Sequence, residues 1–359
     1  MAADFYITSQ SQLDSLLDLI SAEKLVALDT EFTRQTTYYP ILSIVQVAIK
    51  TPDNKKKSFI IDCLSDLDLS GFFALISDPK IKKILHSSAQ DLQIFYLASN
   101  IMPQAIIDTQ IMANFCGFGC NVGYSNLVDK IFARSLNKDQ QRSDWQRRPL
   151  SQKQIEYALL DVEFLHEIYE KFYTILEKNK RYDWFDEEMK KFIEKSLHKS
   201  EDNLLKNFSF SKKSEVQKSQ LRKLVLWREN LSKKNNLLRQ YFLKDEDLEN
   251  IIDLGLVDGA IYHRLTKEML SEIEIILADN SEENFDFVNN FFMTDRQKIL
   301  LEQVKEMVAK IAEKENFAAQ FLLTNFDIKK IICQQDSFEK TVDAWRHILL
   351  GKELKEIIS

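Results

Sequence analysis

Four apolar residues, Leu25 to Leu28, follow one another without a turn signal. Asp29 and Glu31 then arrive two apart, with only Thr30 between them. Side chains at i and i+2 of a strand share a face. LVALDTEF therefore predicts a strand with a buried body that ends in two adjacent carboxylates. Leu42 to Ile49 is rich in β-formers and is expected to pair with it; Ser58 to Asp62 supplies a third strand beyond the polar turn TPDNKKK. Ser9 to Ser21 reads as a short amphipathic helix leading into the first strand. A second helix, Leu69 to Ile76, stops at Ser77-Asp78-Pro79. Lys82 to His86 is a short strand, Ser87 or Ser88 N-caps a helix that runs to Asn100, and Ala105 to Asp108 is a fifth strand. Ser151 opens a helix that continues to Tyr173, with Ile155, Leu159, Val162 and Leu165 as its apolar stripe. Hydrophobic strands followed by strands alternating with helices make a mixed α/β sheet.

Composition narrows the class. The chain has 359 residues, enough for two or three domains. With 45% hydrophobic residues, 29% charged residues, only 7 Gly and 5 Pro, it reads as a soluble, helix-rich protein with few long loops. MAADFYITSQSQL has neither the basic nor the apolar region of a signal peptide, and no apolar run reaches the length of a membrane span. Cys63, Cys116, Cys120 and Cys333 form no C-x-x-C and no metal spacing; they are expected as reduced thiols in a cytoplasmic protein.

A net charge of −7 gives no global hint of nucleic acid, but local charge differs. Lys206, Lys212, Lys213, Lys218, Arg222, Lys223, Arg228, Lys233, Lys234 and Arg239 form a basic run opposed only by Glu215 and Glu229. A second cluster, Lys138, Arg142, Arg147, Arg148 and Lys153, flanks Trp145. Such runs can neutralise phosphates, and they also occur as solvated helix faces.

Two carboxylates standing side by side and losing water favour protonation unless a cation sits between them, and hard divalent ions prefer oxygen. A lone D-x-E is weak, since acids at a strand end are common. Asp91, in the first turn of a helix that follows a strand, adds a third carboxylate at a corner where sites form. Asp161 lies between Leu160 and Val162, a half-buried acid that needs a partner, and Tyr157 is its neighbour one turn earlier.

Asp29, Glu31, Asp91 and Asp161, with Tyr157 ahead of the last, resemble in order and spacing the DEDD superfamily of 3′-to-5′ exonucleases. The tyrosine identifies the tyrosine branch; the histidine branch would need His where Glu156 stands. LVALDTEFTRQTTYYPILSIVQVAI, ILHSSAQDLQIF, IIDTQIMANFCGF, SDWQRRPL and YALLDVEFL are each similar to segments of bacterial ribonuclease D, and together they cover roughly the first 170 residues. LRKLVLWRENLSKKNNL and QYFLKDEDLENII resemble the helicase-and-ribonuclease-D C-terminal (HRDC) module. Asn236, Gln240, Asp247, Ile251 and Ile252 recur as Asn316, Gln320, Asp327, Ile331 and Ile332, and Thr294 with Gln297 makes a capping box at the start of the second copy.

The resemblance implies a ribonuclease H-like exonuclease domain, a mixed sheet flanked by helices, over residues 1–195. A linker at 196–213 and two all-α HRDC bundles at 214–290 and 291–359 would follow. It implies Mg²⁺ or Mn²⁺, two ions per site, held by Asp29, Glu31, Asp91 and Asp161, with Tyr157 orienting the attacking water. His86, Gln90 and Gln46 are expected near the terminal nucleotide; His166, His198, His263 and His347 are expected to be ordinary residues. The implied activity is hydrolysis from RNA 3′ ends with release of 5′-mononucleotides. The implied substrates are tRNA precursors and small structured RNAs, and the implied state is a cytoplasmic monomer with no membrane partner. A DNA exonuclease of repair or proofreading type would carry the same acids, and a catalytically silent RNA-binding scaffold would have lost one of them.

Overall fold

In the computed structural model, the described residues run from 5 to 358, apart from 52, 54, 138, 198–200, 211, 283–290, 292, 334–341 and 343. Lys138 and His198, singled out above, therefore lie outside the described residues. The chain divides into two compact units. One comprises residues 1–33, 41–197 and 293–359, the other residues 34–40 and 198–292.

The first unit is built on a six-stranded sheet in the order β1-β4-β3-β2-β5-β6. Its strands are β1 (Tyr6–Ile7), β2 (Leu25–Thr33), β3 (Ile41–Lys50), β4 (Lys56–Asp62), β5 (Lys82–Leu85) and β6 (Ile106–Asp108). β2, β3 and β4 form an antiparallel meander, whereas β5 and β6 continue parallel to β2, so the sheet is mixed as expected. β2 is central. Val26, Ala27 and Leu28 have no exposure, which is what a strand covered on both faces requires. Its register sets Asp29 opposite Gln46 and Glu31 opposite Ile44, and a bulge between Glu31 and Phe32 ends the regular pairing just past the acids.

Helices cover this sheet: α1 (Gln10–Glu23), α2 (Ser70–Ser77), α3 (Ala89–Ser99), α4 (Thr109–Phe115), α5 (Tyr124–Phe132), α6 (Gln152–Glu163), α7 (Leu165–Lys178) and α8 (Tyr182–Leu197). α6 starts where the sequence places it. Ser151 Oγ accepts from the Gln154 N–H, and Gln154 Oε1 accepts from the Ser151 N–H, a reciprocal cap. The single helix expected from Ser151 to Tyr173 is instead two, broken at Phe164. The cause is a side chain inserted into the helical ladder. Tyr124 Oη accepts from the Phe164 N–H at 3.1 Å and donates to Leu160 O at 3.0 Å.

In the second unit, α9 (Glu201–Leu205), α10 (Glu215–Asn235), α11 (Arg239–Phe242), α12 (Asp245–Leu254), α13 (Gly259–Tyr262) and α14 (Lys267–Ala278) pack around Leu221, Leu224, Leu243, Leu248, Ile251 and Ile273. The sequence repeat is structural. Eighty residues on, α15 (Asp295–Glu315), α16 (Ala319–Leu322) and α17 (Asn325–Ile332) reproduce α10, α11 and the start of α12. Asn236 and Asn316 both cap in the left-handed conformation, and Gln217 and Gln297 both reach a carbonyl 35 residues on, Ile252 O and Ile332 O, at 3.4 Å. The second copy, with the terminal described helix Ala344–Ile358, belongs to the sheet's unit. There Phe115 is ringed by Phe185, Phe317, Phe321 and Trp345. Arg181 lies over Phe317 and pairs with Glu315 at 2.9 Å. Among the described residues no helix is long and apolar enough to cross a membrane.

The basic run from Lys206 to Arg239 is not a free cationic face. Lys213, Lys218, Arg222, Lys223, Arg228 and Arg239 are each ion-paired within the second unit. Arg148, from the cluster around Trp145, is likewise used internally. Its Nε and Nη2 each donate to Asp62 at 2.6 Å, while other donors satisfy Trp145 O and Ser43 O.

Candidate active site

Asp29, Glu31, Asp91 and Asp161 line one cavity of about 440 Å³ together with Tyr157, His86, Gln90, Tyr124 and Gln141. Three elements deliver the acids. β2 presents Asp29 and Glu31 on one face at its bulged end. α3 begins directly after β5, the parallel neighbour of β2, and carries Asp91 in its first turn. α6 crosses the same face and supplies Tyr157 and Asp161, one turn apart.

The corner before α3 is tied down by a residue the sequence reading did not single out. Asp108, at the end of β6, accepts from the Ser87 and Ser88 N–H groups, the Ser88 hydroxyl and the Gln110 N–H. Ser88 is thus the N-cap residue of α3, but its hydroxyl serves Asp108 and not the helix. Tyr124 is the other unforeseen member. It lines the cavity, and its hydroxyl holds the break immediately after Asp161.

Burial raises all four acids, and for Asp29 and Glu31 the charges of their neighbours add to it. Burial, then the charges of Asp91, Asp161 and Glu31, push Asp29 well above the carboxylate range. Burial and the charges of Asp161 and Asp91 raise Glu31 to about 9. Burial raises Asp91 to about 7, against the opposing hydrogen bond from Thr30 Oγ1. Burial likewise raises Asp161 to about 7, with the Tyr157 hydroxyl pulling the other way. Tyr157 itself is raised by burial and by the charges of Asp161, Glu31 and Asp29, so its hydroxyl keeps its proton. It stands against Trp145, ring centroids 6.1 Å apart, in a small apolar cluster with Ile44, Ile60, Leu150 and Ala158. The Arg148–Asp62 pair fastens the segment that carries Trp145.

The remaining expected residues are placed as follows. His86 and Gln90 line the cavity. The His86 ring nitrogens are also within 2.9 Å of Thr109 Oγ1 and Val122 O, and burial lowers its pKa. Gln46 does not line the cavity. It is fully buried opposite Asp29, and neither its Oε1 nor its Nε2 has a hydrogen-bond partner.

A family model described as a 3′-5′ exonuclease matches residues 5–177. The chain is 30% identical to a ribonuclease D of Sphingobium indicum over 368 residues, which spans 98% of this chain and 94% of that one. The chain belongs to the ribonuclease D family. It is an enzyme of that type, a hydrolytic 3′-to-5′ exoribonuclease. A ribonuclease D of Bartonella henselae is 29% identical over 98% of this chain and 89% of its own length. The crystal structure of Escherichia coli RNase D, described as an exoribonuclease involved in structured RNA processing, superposes with a TM-score of 0.81 over 98% of both chains at 23% identity, a likeness of fold. The sheet and its helices have the ribonuclease H-like exonuclease fold, and the helices that follow are consistent with HRDC architecture.

Membership of the ribonuclease D family implies dependence on divalent metal. The donors fit such an ion: four carboxylates in one cavity supply only hard oxygen and an excess of negative charge. Among the described residues no three His, Cys, Asp or Glu side chains already stand together as a cation cage. Two of the four acids are turned to other partners, Asp91 to Thr30 and Asp161 to Tyr157.

Proposed function

We propose that the chain trims the 3′ ends of tRNA precursors and other small structured RNAs, releasing 5′-mononucleotides, with two divalent ions per site, Mg²⁺ or Mn²⁺. The observation that carries this reading is the convergence of Asp29, Glu31, Asp91 and Asp161 with Tyr157 on one cavity. Asp29, Glu31 and Asp161 would hold one ion, and Asp29 with Asp91 the other. When bound, such ions lower the pKa of a coordinated water and stabilise the leaving 3′ oxygen.

The protein's own groups do the positioning. Tyr157 stays protonated, so it orients the attacking water by hydrogen bonding and does not remove its proton. In this reading Gln90 on the cavity wall would contact the terminal nucleotide, and His86, whose two ring nitrogens are engaged with Thr109 Oγ1 and Val122 O, would offer it only its ring face. Gln46, the cross-strand neighbour of Asp29, shares its face of the sheet but does not line the cavity, and it is given no contact with the nucleotide in this reading. In this reading the exonuclease domain spans 1–195, two HRDC modules span 214–290 and 291–359, and the enzyme works as a cytoplasmic monomer.

The test is a gel. Purified protein is incubated with a 5′-labelled tRNA precursor and with matched single-stranded DNA, each with Mg²⁺ and with chelator. A metal-dependent ladder shrinking from the 3′ end of RNA, weaker on DNA, supports the reading. Equal or better trimming of DNA would replace it with a repair-type exonuclease.

A further inference from the structure

On the face of β3 that α6 packs across, Ile44, Gln46 and Ala48 follow at alternate positions, and none of the three has any exposure. Ile44 and Ala48 are apolar, so packing alone does not ask for an amide between them. Register sets Gln46 directly opposite Asp29 on β2 and opposite Ile60 on β4. Cross-strand neighbours on one face stand about 5 Å apart at Cβ, which puts the Asp29 carboxylate within reach of the amide.

Two buried side chains meet here without partners. Neither Oε1 nor Nε2 of Gln46 has a hydrogen bond among the described residues, and neither does Nε1 of Trp145, which is 2% exposed. Trp145 belongs to one apolar cluster with Ile44 and Ile60, the residues that flank Gln46 along β3 and across to β4. Its ring stands against Tyr157. Buried polar groups are nearly always satisfied in folded proteins. The needs of these two are complementary: the amide nitrogen can give to a carboxylate while the amide oxygen takes the indole N–H.

Asp29 is the acid for which such a donor counts. The Thr30 hydroxyl serves Asp91 and the Tyr157 hydroxyl serves Asp161, whereas Asp29 has the Thr30 backbone N–H. Carboxylates that hold a cation are ordinarily fixed by hydrogen bonds from an outer layer of residues. A neutral amide does this without cancelling the negative charge that attracts the ion, as Lys or Arg at the same position would.

We propose that Gln46 is a positioning residue for Asp29. With a divalent cation bound, its Nε2 donates to the Asp29 carboxylate and its Oε1 accepts from Trp145 Nε1, joining Asp29 to the ring on which Tyr157 packs. The proposal rests on the reading that the four acids hold divalent ions.

The test uses full-length protein, Gln46→Met, which keeps the length of the side chain but removes the amide, and Trp145→Phe, which identifies the Trp145 indole signal by its loss. Urea unfolding in chelator, calorimetry of Mn²⁺ binding and ¹⁵N-resolved indole N–H resonances with and without Mg²⁺ are measured. Gln46→Met should be at least as stable as wild type in chelator, because an unsatisfied buried amide has gone. Its Mn²⁺ affinity should fall about 10–100-fold. In wild type the Trp145 N–H signal should move downfield when Mg²⁺ is added, and in Gln46→Met it should stay in place. A glutamine that merely packs would give the reverse: lower stability in chelator with Mn²⁺ affinity and the indole signal unaffected, which overturns the proposal. So would a Trp145 signal in wild type that ignores Mg²⁺ while Mn²⁺ binds. No Mn²⁺ binding by wild type would be a different failure, removing the four-acid reading and this proposal with it.

Discussion

The hydroxyl of Tyr124 stands inside the helical ladder at Phe164, accepting a hydrogen bond from its N–H at 3.1 Å and donating one to Leu160 O at 3.0 Å. Asp161 lies between those two backbone groups. Removing the hydroxyl in Tyr124→Phe lets the Phe164 N–H rejoin Leu160 O, straightening the helix and turning Asp161 away from the other acids. The folded state should lose only about 1 kcal/mol, while kcat falls several-fold and KM changes little. Steady-state kinetics with a denaturant titration check this; unchanged kcat would mean the break does not set the position of Asp161.

This hydroxyl also marks the limit of what the sequence could disclose. β2 and its two acids were legible because alternation along a strand is local, and Ser151, as a candidate N-cap, announced the start of α6. The break at Phe164 was not, because its cause lies forty residues earlier. Asp108 went unremarked as a strand end, although an acid at a strand-to-helix corner is itself a signal for a residue that ties down nearby N–H groups. The basic run stayed open between phosphate binding and a solvated face for a related reason: which lysines and arginines find acids depends on the packing of α10 against its neighbours.

Arg148→Ala should destabilise the chain by about 3 kcal/mol, because it strands the buried carboxylate of Asp62. Burial raises the Asp62 pKa, but the hydrogen bonds from Arg148 and Tyr6 outweigh it and hold it below the ordinary carboxylate value. A depressed folded pKa contributes stability that is present above the unfolded value and lost as pH falls through the folded one. Wild-type protein should therefore lose this contribution on acidification below about pH 4, and Arg148→Ala should not. Urea unfolding at pH 3 and pH 7 decides; equal acid sensitivity would remove the pair from the account.

Gly117 has φ +77°, and a Cβ there would sit 2.0 Å from Asn316 Nδ2. Gly117→Ala should cost about 2–4 kcal/mol, from the left-handed backbone and from overpacking. Adding Asn316→Gly should recover the overpacking share, since it removes the clashing amide. Thermal unfolding of the single and double variants tests this; a neutral single variant would contradict the close approach.

The four raised carboxylates bear on cation binding. Glu31 titrates near 9 in place of its ordinary 4.5, and Asp91 and Asp161 near 7. Between the ordinary carboxylate range and about 9 the folded site holds protons the unfolded chain has lost, so metal-free stability falls as pH rises. A divalent ion must displace those protons, so its affinity should rise with pH and binding at pH 7 should release protons. Calorimetry of Mn²⁺ binding in two buffers of different ionisation enthalpy reads this directly. Identical heats in both buffers would show that the acids are already ionised.

The most direct measurement is single-turnover cleavage of 5′-labelled RNA by Asp29→Asn in Mg²⁺, with RNA affinity measured in chelator. Asp29 lies on β2 among the acids of the cavity, and Asn keeps its shape without its charge. The account predicts that trimming disappears while RNA affinity stays within a few-fold of wild type. A wild-type ladder from this variant would mean that the four carboxylates do not carry the hydrolysis.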